Sequence, residues 1–301
     1  MISTYMKKNI LIFFNCHGKN YSKYLKQNKL LCKYYNIKNI SIVDYVDKES
    51  ILYNNTELDD IHKKKIKNTD VLILQYIEKD RGFLNNINII KMCKKDCIII
   101  KIPHYRNSIY EHKLLEGFTH QNKMTKEWTL PQKINNINNV EQNIEIIKNE
   151  INIMNNCNYD KKILLNEFNN KYEEFKKIDN LSDIKMLDYY QNNYNKYRLF
   201  SGRGYPSSRF FYELTNRILI KLGFKPNTKF IDLYFAEHTT VPIPDYWYKF
   251  CNFTFDNKCY AKGHIEITEY EWYYILLLSN KRVVKKKEEC IKYLSIIRQT
   301  S

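Results

Sequence analysis

Four short, continuously apolar runs in the first 105 residues constrain this chain more than any other feature. They read NILIFF at 9–14, NISIV at 39–43, DVLILQYI at 70–77 and CIIIKI at 97–102. Each has the length of a strand and is bounded by polar or turn-forming residues. Between them, residues 18–34, 57–66 and 85–95 carry the spacing expected of helices. Strands that are apolar at every position are buried on both faces, and strands alternating with helices pair in parallel. The expected fold class is therefore α/β, a parallel sheet of about four or five strands with helices on both faces.

Residues 136–199 change period. Val140, Ile144, Ile147, Ile151 and Met154 recur at three and four, as do Leu165, Phe168, Tyr172 and Phe175, and then Leu187, Tyr190, Tyr194 and Tyr197. These predict two or three amphipathic helices, with NNCN at 155–158 as a turn. Next, Gly202 and Gly204 mark a flexible loop, and Pro206 suits a first helical turn. Phe211, Leu214, Ile218 and Leu222 make that helix's buried stripe, and Gly223 ends it. TVPIPDYW at 240–247 reads as an extended loop, followed by a strand near 258–266 and an apolar helix EYEWYYILLL. The expected organisation is an α/β core over 1–135, a helical insertion over 136–199, and a part completing the α/β domain over 200–301.

The net charge of +16 raises the question of a polyanionic partner. Lys, Asn, Ile and Tyr are all abundant and all have A/T-rich codons, so genome composition explains much of the lysine. Apart from KRVVKKK at 281–287 the lysines are scattered. A nucleic-acid- or polyanion-binding module thus rests on charge alone, and a basic surface equally suits an anionic metabolite. No apolar run reaches the roughly 20 residues of a membrane span. Residues 1–14 lack the cleavage site of a secretory signal. The eight cysteines form no CxxC pair and Cys93 and Cys97 have no matching pair nearby, which argues against zinc and any other metal. The expected setting is reducing and cytoplasmic. A homo-oligomer is left open.

The chemistry-bearing residues fall at strand ends. Asn15-Cys16-His17-Gly18 lies between the first strand and the following helix, where backbone N–H groups of a first helical turn can lower a thiol pKa, hold an anion or stabilise an oxyanion. Gln75 ends the third strand, where its amide could donate to an oxyanion. His104 follows Pro103 at the end of the fourth and, like His17, is a candidate base. Arg81, Arg106, Arg203 and Arg209 are expected near the same rim, as diphosphate ligands or as solvated charges. Ligands bind at the carboxyl edge of open α/β sheets. The dinucleotide signature GxGxxG is absent.

Several of these stretches, in order, resemble one family. FFNCHGKNYSKYL is similar to the opening N-C-Q/H-G motif of the WcbI-type polysaccharide-biosynthesis acetyltransferases. DVLILQYIEKDRG, KIPHYRNSIYEH, DIKMLDYYQNNYNKYRLFSGRGYPSS and VPIP resemble its later blocks, so the resemblance spans most of 9–247. It implies a three-layer, flavodoxin-like sheet related to the SGNH hydrolases, coenzyme A as co-substrate, and acetyl transfer in glycan synthesis. It puts Cys16 at the hydrolase nucleophile position, surrounded by Asn15, His17 and Gly18, with Gln75 near the oxyanion hole. Where the family has His-Pro before a helix, this chain has Tyr205-Pro206. A base at 205 is thus missing, and His17 or His104 would replace it. The expectation is an acetyl-CoA-dependent acetyltransferase acting on a sugar or nucleotide-sugar, leaning to an amino group. Asn15, Gly18, Arg81, Arg106, Arg203, Tyr205 and Arg209 would hold the coenzyme. A sugar O-acetyltransferase or an SGNH-type esterase is the alternative.

Overall fold

The first apolar run forms strand β1 (Lys8–Phe14), and it sits centrally in a four-stranded parallel sheet of order β2-β1-β3-β4. Its neighbours are β2 (Tyr35–Ser41) and β3 (Val71–Tyr76), and β3 pairs in turn with β4 (Ile98–Pro103). The computed structural model describes residues 6–42, 58–77, 84–107, 134, 136, 138–156, 161–200, 204–233, 242–261, 265–280 and 287–300.

The chain divides into two compact units. The first comprises Met1–Tyr105, Glu174–Gln191 and Ser208–Leu233, and the second Arg106–Glu173, Asn192–Ser207 and Tyr234–Ser301. In the first unit the helices are α1 (Gly18–Leu25), α2 (Lys29–Tyr34), α3 (Asp60–Lys67), α4 (Asn86–Met92), the end of α6 (Lys161–Asn180), α7 (Leu187–Asn193) over most of its length, and α8 (Ser208–Lys221). Leu11, Phe13, Leu72 and Leu74 point to one face of the sheet, where Ile66 of α3 and Ile89 of α4 join them. Ile12 and Phe14 point to the other, under Gly18 of α1, and Tyr21 of α1 packs against both Phe14 and Phe211 of α8. Helices on both faces explain why these strands are apolar at every position.

The order of strands has a consequence for function. The chain leaves β1 to one side for β2 and returns to the other side for β3, so the two crossovers lie on opposite faces. The carboxyl ends of β1 and β3 thus flank the point where the strand order reverses, the place where open α/β sheets bind ligands.

The predicted helix over 18–34 is two helices. Asn28 breaks it, and its side chain accepts from the Leu31 N–H at 2.9 Å to cap α2. Strand β2 begins earlier than the apolar run NISIV, at Tyr35, and takes in Asn36, Lys38 and Asn39. It lies at the sheet edge, and an edge strand with a wet face needs no continuous apolar run. The other edge, β4, is covered: Lys101 N–H donates to the Asp183 carboxylate at 2.7 Å, and Asp183 N–H donates to the Lys101 carbonyl at 2.8 Å.

Helix α8 ends as the sequence predicts. Gly223 has φ +81°, Phe224 N–H reaches Leu219 O at 2.9 Å and Gly223 N–H reaches Ile220 O at 2.9 Å, a Schellman closure. Its start differs, because Pro206 makes a β-bridge with Phe200 and the helix begins at Ser208.

The second unit holds α5 (Val140–Asn156), α9 (Asp245–Phe250), the hairpin β5 (Cys259–Ala261) and β6 (Ile265–Ile267), α10 (Glu269–Asn280) and α11 (Lys287–Thr300). Its core joins Ile144 and Ile147 of α5 to Trp272, Tyr273 and Leu277 of α10 and Leu294 and Ile297 of α11. Thr268 and Glu271 cap α10 reciprocally, and Arg298 donates from Nε to the buried Glu271 carboxylate at 2.7 Å. The strand expected near 258–266 is this hairpin, and the expected loop 240–247 turns into α9 after Pro244. In the second unit Gly204 is held, not flexible. Its φ is +70°, and a Cβ there would lie 2.9 Å from the backbone oxygen of Asn107, whose N–H donates to Gly204 O at 3.0 Å.

Candidate functional site

Three of the sheet's carboxyl ends carry the predicted residues. Asn15, Cys16 and His17 follow β1, Gln75 is the penultimate residue of β3, and His104 follows β4. The β1 and β3 ends are tied directly, since the Asn15 N–H donates to Gln75 Oε1 at 3.0 Å. Only the oxygen of a carboxamide can accept from an N–H, so this bond sets which way the Gln75 amide is turned. Its Nε2 is the end left to donate to a ligand. Behind it, Asn86 at the start of α4 clamps the strand end, donating to Gln75 O at 2.9 Å and accepting from Ile77 N–H at 2.8 Å.

The turn after β1 is organised by Asn15. Its side-chain oxygen accepts from His17 N–H at 2.9 Å and its carbonyl from Gly18 N–H at 2.9 Å. Gly18 admits the helix onto the strand, because a Cβ there would lie 3.1 Å from that of Phe14. The first helical turn does not present its amides freely. Asn20 and Tyr21 N–H both turn back to His17 O, at 2.9 and 3.3 Å. The amides that face the Cys16 thiol are those of Cys16 itself and His17.

Cys16 is exposed, yet the protein packed around its sulfur raises the thiol above its ordinary pKa. The two amides and the Lys19 charge oppose that shift without reversing it. The thiol is thus mainly protonated at neutral pH, and a protonated thiol is a poor nucleophile.

His17 is 3 % exposed, and its ring meets His104 edge-on at 4.8 Å between centroids and Phe211 at 5.5 Å. His104 is half-buried. The β1 and β4 ends are therefore joined by an imidazole pair, just as the β1 and β3 ends are joined by Gln75. Tyr105, next in the chain, is buried and anchors this segment, its hydroxyl donating to Asp179 at 2.6 Å.

The basic residues fall in different units of the chain. Arg209 belongs to the first unit, on α8, with its guanidinium 4.0 Å above the Phe230 ring. Arg106 and Tyr205 belong to the second unit, where the guanidinium lies 5.9 Å from the tyrosine ring. Arg81 and Arg203 lie outside the described residues. The parts that Phe211 and Asn86 play in the site are not legible in the sequence. The first is indistinguishable there from the rest of the α8 stripe, and nothing marks the second. Among the described residues, no group of three or more His, Cys, Asp or Glu side chains is placed to hold a metal ion, and no helix is long and apolar enough to cross a membrane.

No family model matches the chain, and no curated protein matches its sequence. The fold does match a solved structure. It is WcbI, described as a novel polysaccharide biosynthesis enzyme, in a native form without a disulfide bond between coenzyme A and one of its cysteines. The TM-score is 0.61 over 97 % of this chain and 95 % of that one, at 13 % sequence identity. At that identity the likeness establishes a shared α/β fold.

Proposed function

We propose that this protein transfers an acetyl group from acetyl-coenzyme A to a sugar, with an amino-sugar nitrogen as the favoured acceptor, in glycan synthesis. The observation that carries the reading is the convergence of Cys16, His17, Gln75 and His104 at the carboxyl ends of β1, β3 and β4 of the parallel sheet. Two further points support it. WcbI, with which the fold is shared, is described as a polysaccharide biosynthesis enzyme with coenzyme A. The opening motif around Cys16 also resembles that family's.

The reaction runs without an acyl-enzyme. The acceptor nitrogen attacks the thioester carbonyl carbon, the carbonyl oxygen gains negative charge, and the C–S bond then breaks. Gln75 Nε2 donates to that oxygen. His104, the more accessible imidazole, takes the proton from the attacking nitrogen and returns one to the departing coenzyme thiolate. His17, packed between His104 and Phe211, is a positioning residue that holds His104. Cys16 lines the thioester site as a neutral thiol. Asn15 and Gly18 shape the turn, and Arg209 is a candidate for the coenzyme's phosphates, with Arg81, Arg106, Arg203 and Tyr205 proposed for the same task. With no histidine at 205, an amine acceptor needs less from its base than a hydroxyl does.

The test is competition. Acetyl-coenzyme A is supplied with matched amino- and hydroxy-sugar nucleotides and the product linkage is read by NMR. Amide product supports the reading, ester product assigns O-acetyl transfer, and hydrolysis alone with both acceptors present assigns an esterase.

A further inference from the structure

We propose that Asn20 selects an amino nitrogen over a hydroxyl as the acetyl acceptor. The inference rests on the sugar acetyl transfer proposed above and gives its acceptor preference a residue. Asn20 is the third residue of α1 and is 3 % exposed. Its side-chain oxygen is buried, and among the described residues nothing donates to it. A buried acceptor without a donor is costly and uncommon, and beside a reaction centre it points to a donor on the ligand. The turn before α1 explains why the oxygen is left over. A polar side chain at the third helical position ordinarily reaches back to the N–H of the capping residue. Here the cap is His17, and Asn15 already holds its N–H at 2.9 Å. Asn20 is fixed just below that cap by its own N–H, which donates to His17 O at 2.9 Å. Helical side chains lean toward the helix N-terminus, so Asn20 leans to the turn that carries Cys16 and His17. The positive end of the helix dipole there favours the oxygen, rather than the NH2 group, on the inward side.

The two acceptors differ in what they can offer that oxygen. A neutral amino group brings two N–H hydrogens. One passes to His104 as the C–N bond forms. The other stays on nitrogen into the amide product and donates to Asn20 Oδ1. The nitrogen gains positive charge during attack, so this bond is stronger in the transition state than in the ground state. A hydroxyl brings a single hydrogen, and His104 takes it. With that acceptor the Asn20 oxygen stays buried and unsatisfied while the C–O bond forms. A site that must bond a hydrogen rejects the analogue lacking it far more strongly than an apolar pocket rejects a change of one methylene. The preference for an amine thus has a cause on α1 that is independent of the tyrosine at 205.

The experiment compares the native full chain with Asn20→Leu, using acetyl-coenzyme A and matched amino- and hydroxy-sugar nucleotides. The ratio of kcat/KM for the amine over the hydroxyl should fall roughly 10- to 100-fold in the leucine variant. Asn20→Asp keeps an oxygen at the favourable end of the helix dipole and should retain the preference. Replacing an unsatisfied buried acceptor by an apolar side chain does not weaken the fold, so Asn20→Leu should unfold at the native urea concentration or above it. An unchanged ratio in Asn20→Leu would overturn the proposal and leave acetyl transfer standing. So would a rise in the KM of acetyl-coenzyme A that is equal with both acceptors, which assigns the oxygen to an amide of the coenzyme. Unfolding at clearly lower urea would assign Asn20 to the fold, and a native preference for the hydroxyl would refute the selection outright. Native protein that acetylates neither sugar would overturn the reading beneath the proposal, and the proposal with it.

Discussion

A glutamate at position 75 separates the two jobs of the Gln75 amide. Its oxygen satisfies the Asn15 N–H at 3.0 Å, and its nitrogen is the proposed donor to the thioester oxyanion. Gln75→Glu keeps an acceptor for Asn15 and removes the donor. Gln75→Leu removes both. Leaving the part-buried Asn15 N–H without an acceptor costs about 1–3 kcal/mol, so the leucine variant should unfold at correspondingly lower urea. The glutamate variant should stay within about 1 kcal/mol of the native protein, because a carboxylate accepts at least as well. Catalysis should fall in both. Loss of one oxyanion donor lowers kcat by roughly 10²–10³-fold. Urea unfolding and acetyl-transfer rates measured side by side decide the matter. Native turnover in Gln75→Glu would refute the donor role, and native stability in Gln75→Leu would refute the strand-end tie.

The imidazole pair predicts an ordered set of losses: His104→Gln should cost ~100-fold or more in kcat, while Cys16→Ala should retain measurable turnover. An acetylated Cys16 trapped by mass spectrometry during turnover would contradict the direct transfer. Gly204→Ala places a Cβ against the Asn107 backbone at a positive φ and should destabilise by roughly 2–3 kcal/mol, whereas Gly223→Ala meets only open space and should lose about 1 kcal/mol; thermal unfolding compares the two. Glu269 is held up from 4.5 to about 7, first by burial and then by Asp245. Its folded pKa lies above its unfolded one, so the folded state binds the extra proton between those values and stability falls as pH rises from about 4.5 to 7. At ~1.4 kcal/mol per pH unit the loss is about 3 kcal/mol. Glu269→Gln should flatten this part of the stability–pH curve, measured by urea unfolding across that range.

The central strands β1 and β3 follow their apolar runs closely, because burial on both faces forces every position to be apolar. Of the two edges, β4 also follows its run, although Ile98 is exposed. β2 is an edge strand, so the run NISIV marks only its carboxyl half. Helix α11 shows the period 290, 294, 297 in Cys290, Leu294 and Ile297, yet the preceding lysine run drew attention to charge instead. Likewise, Pro242 and Pro244 suggested extended chain, although Pro244 serves as the cap from which α9 starts. For the site, strand-end position was enough to nominate Cys16, Gln75 and His104. The links between them depend on side-chain rotamers and on helix α8, some 110 residues beyond His104, which carries Phe211 to His17. The amides at the start of α1 are partly engaged for the same reason, since turn geometry sends those of Gly18, Asn20 and Tyr21 to Asn15 and His17 oxygens.

The most direct measurement is protection of Cys16 from alkylation by a thioether analogue of acetyl-coenzyme A, which has no free thiol to consume the reagent and no thioester to be cleaved. Cys16 is exposed and Cys32 is half-exposed, so iodoacetamide labelling followed site by site has an internal control. If coenzyme A lies at the carboxyl ends of β1 and β3, Cys16 labelling slows saturably with analogue while Cys32 labelling does not change. Unaltered labelling of Cys16 at millimolar analogue, or equal slowing at both cysteines, would contradict a coenzyme site at the strand ends.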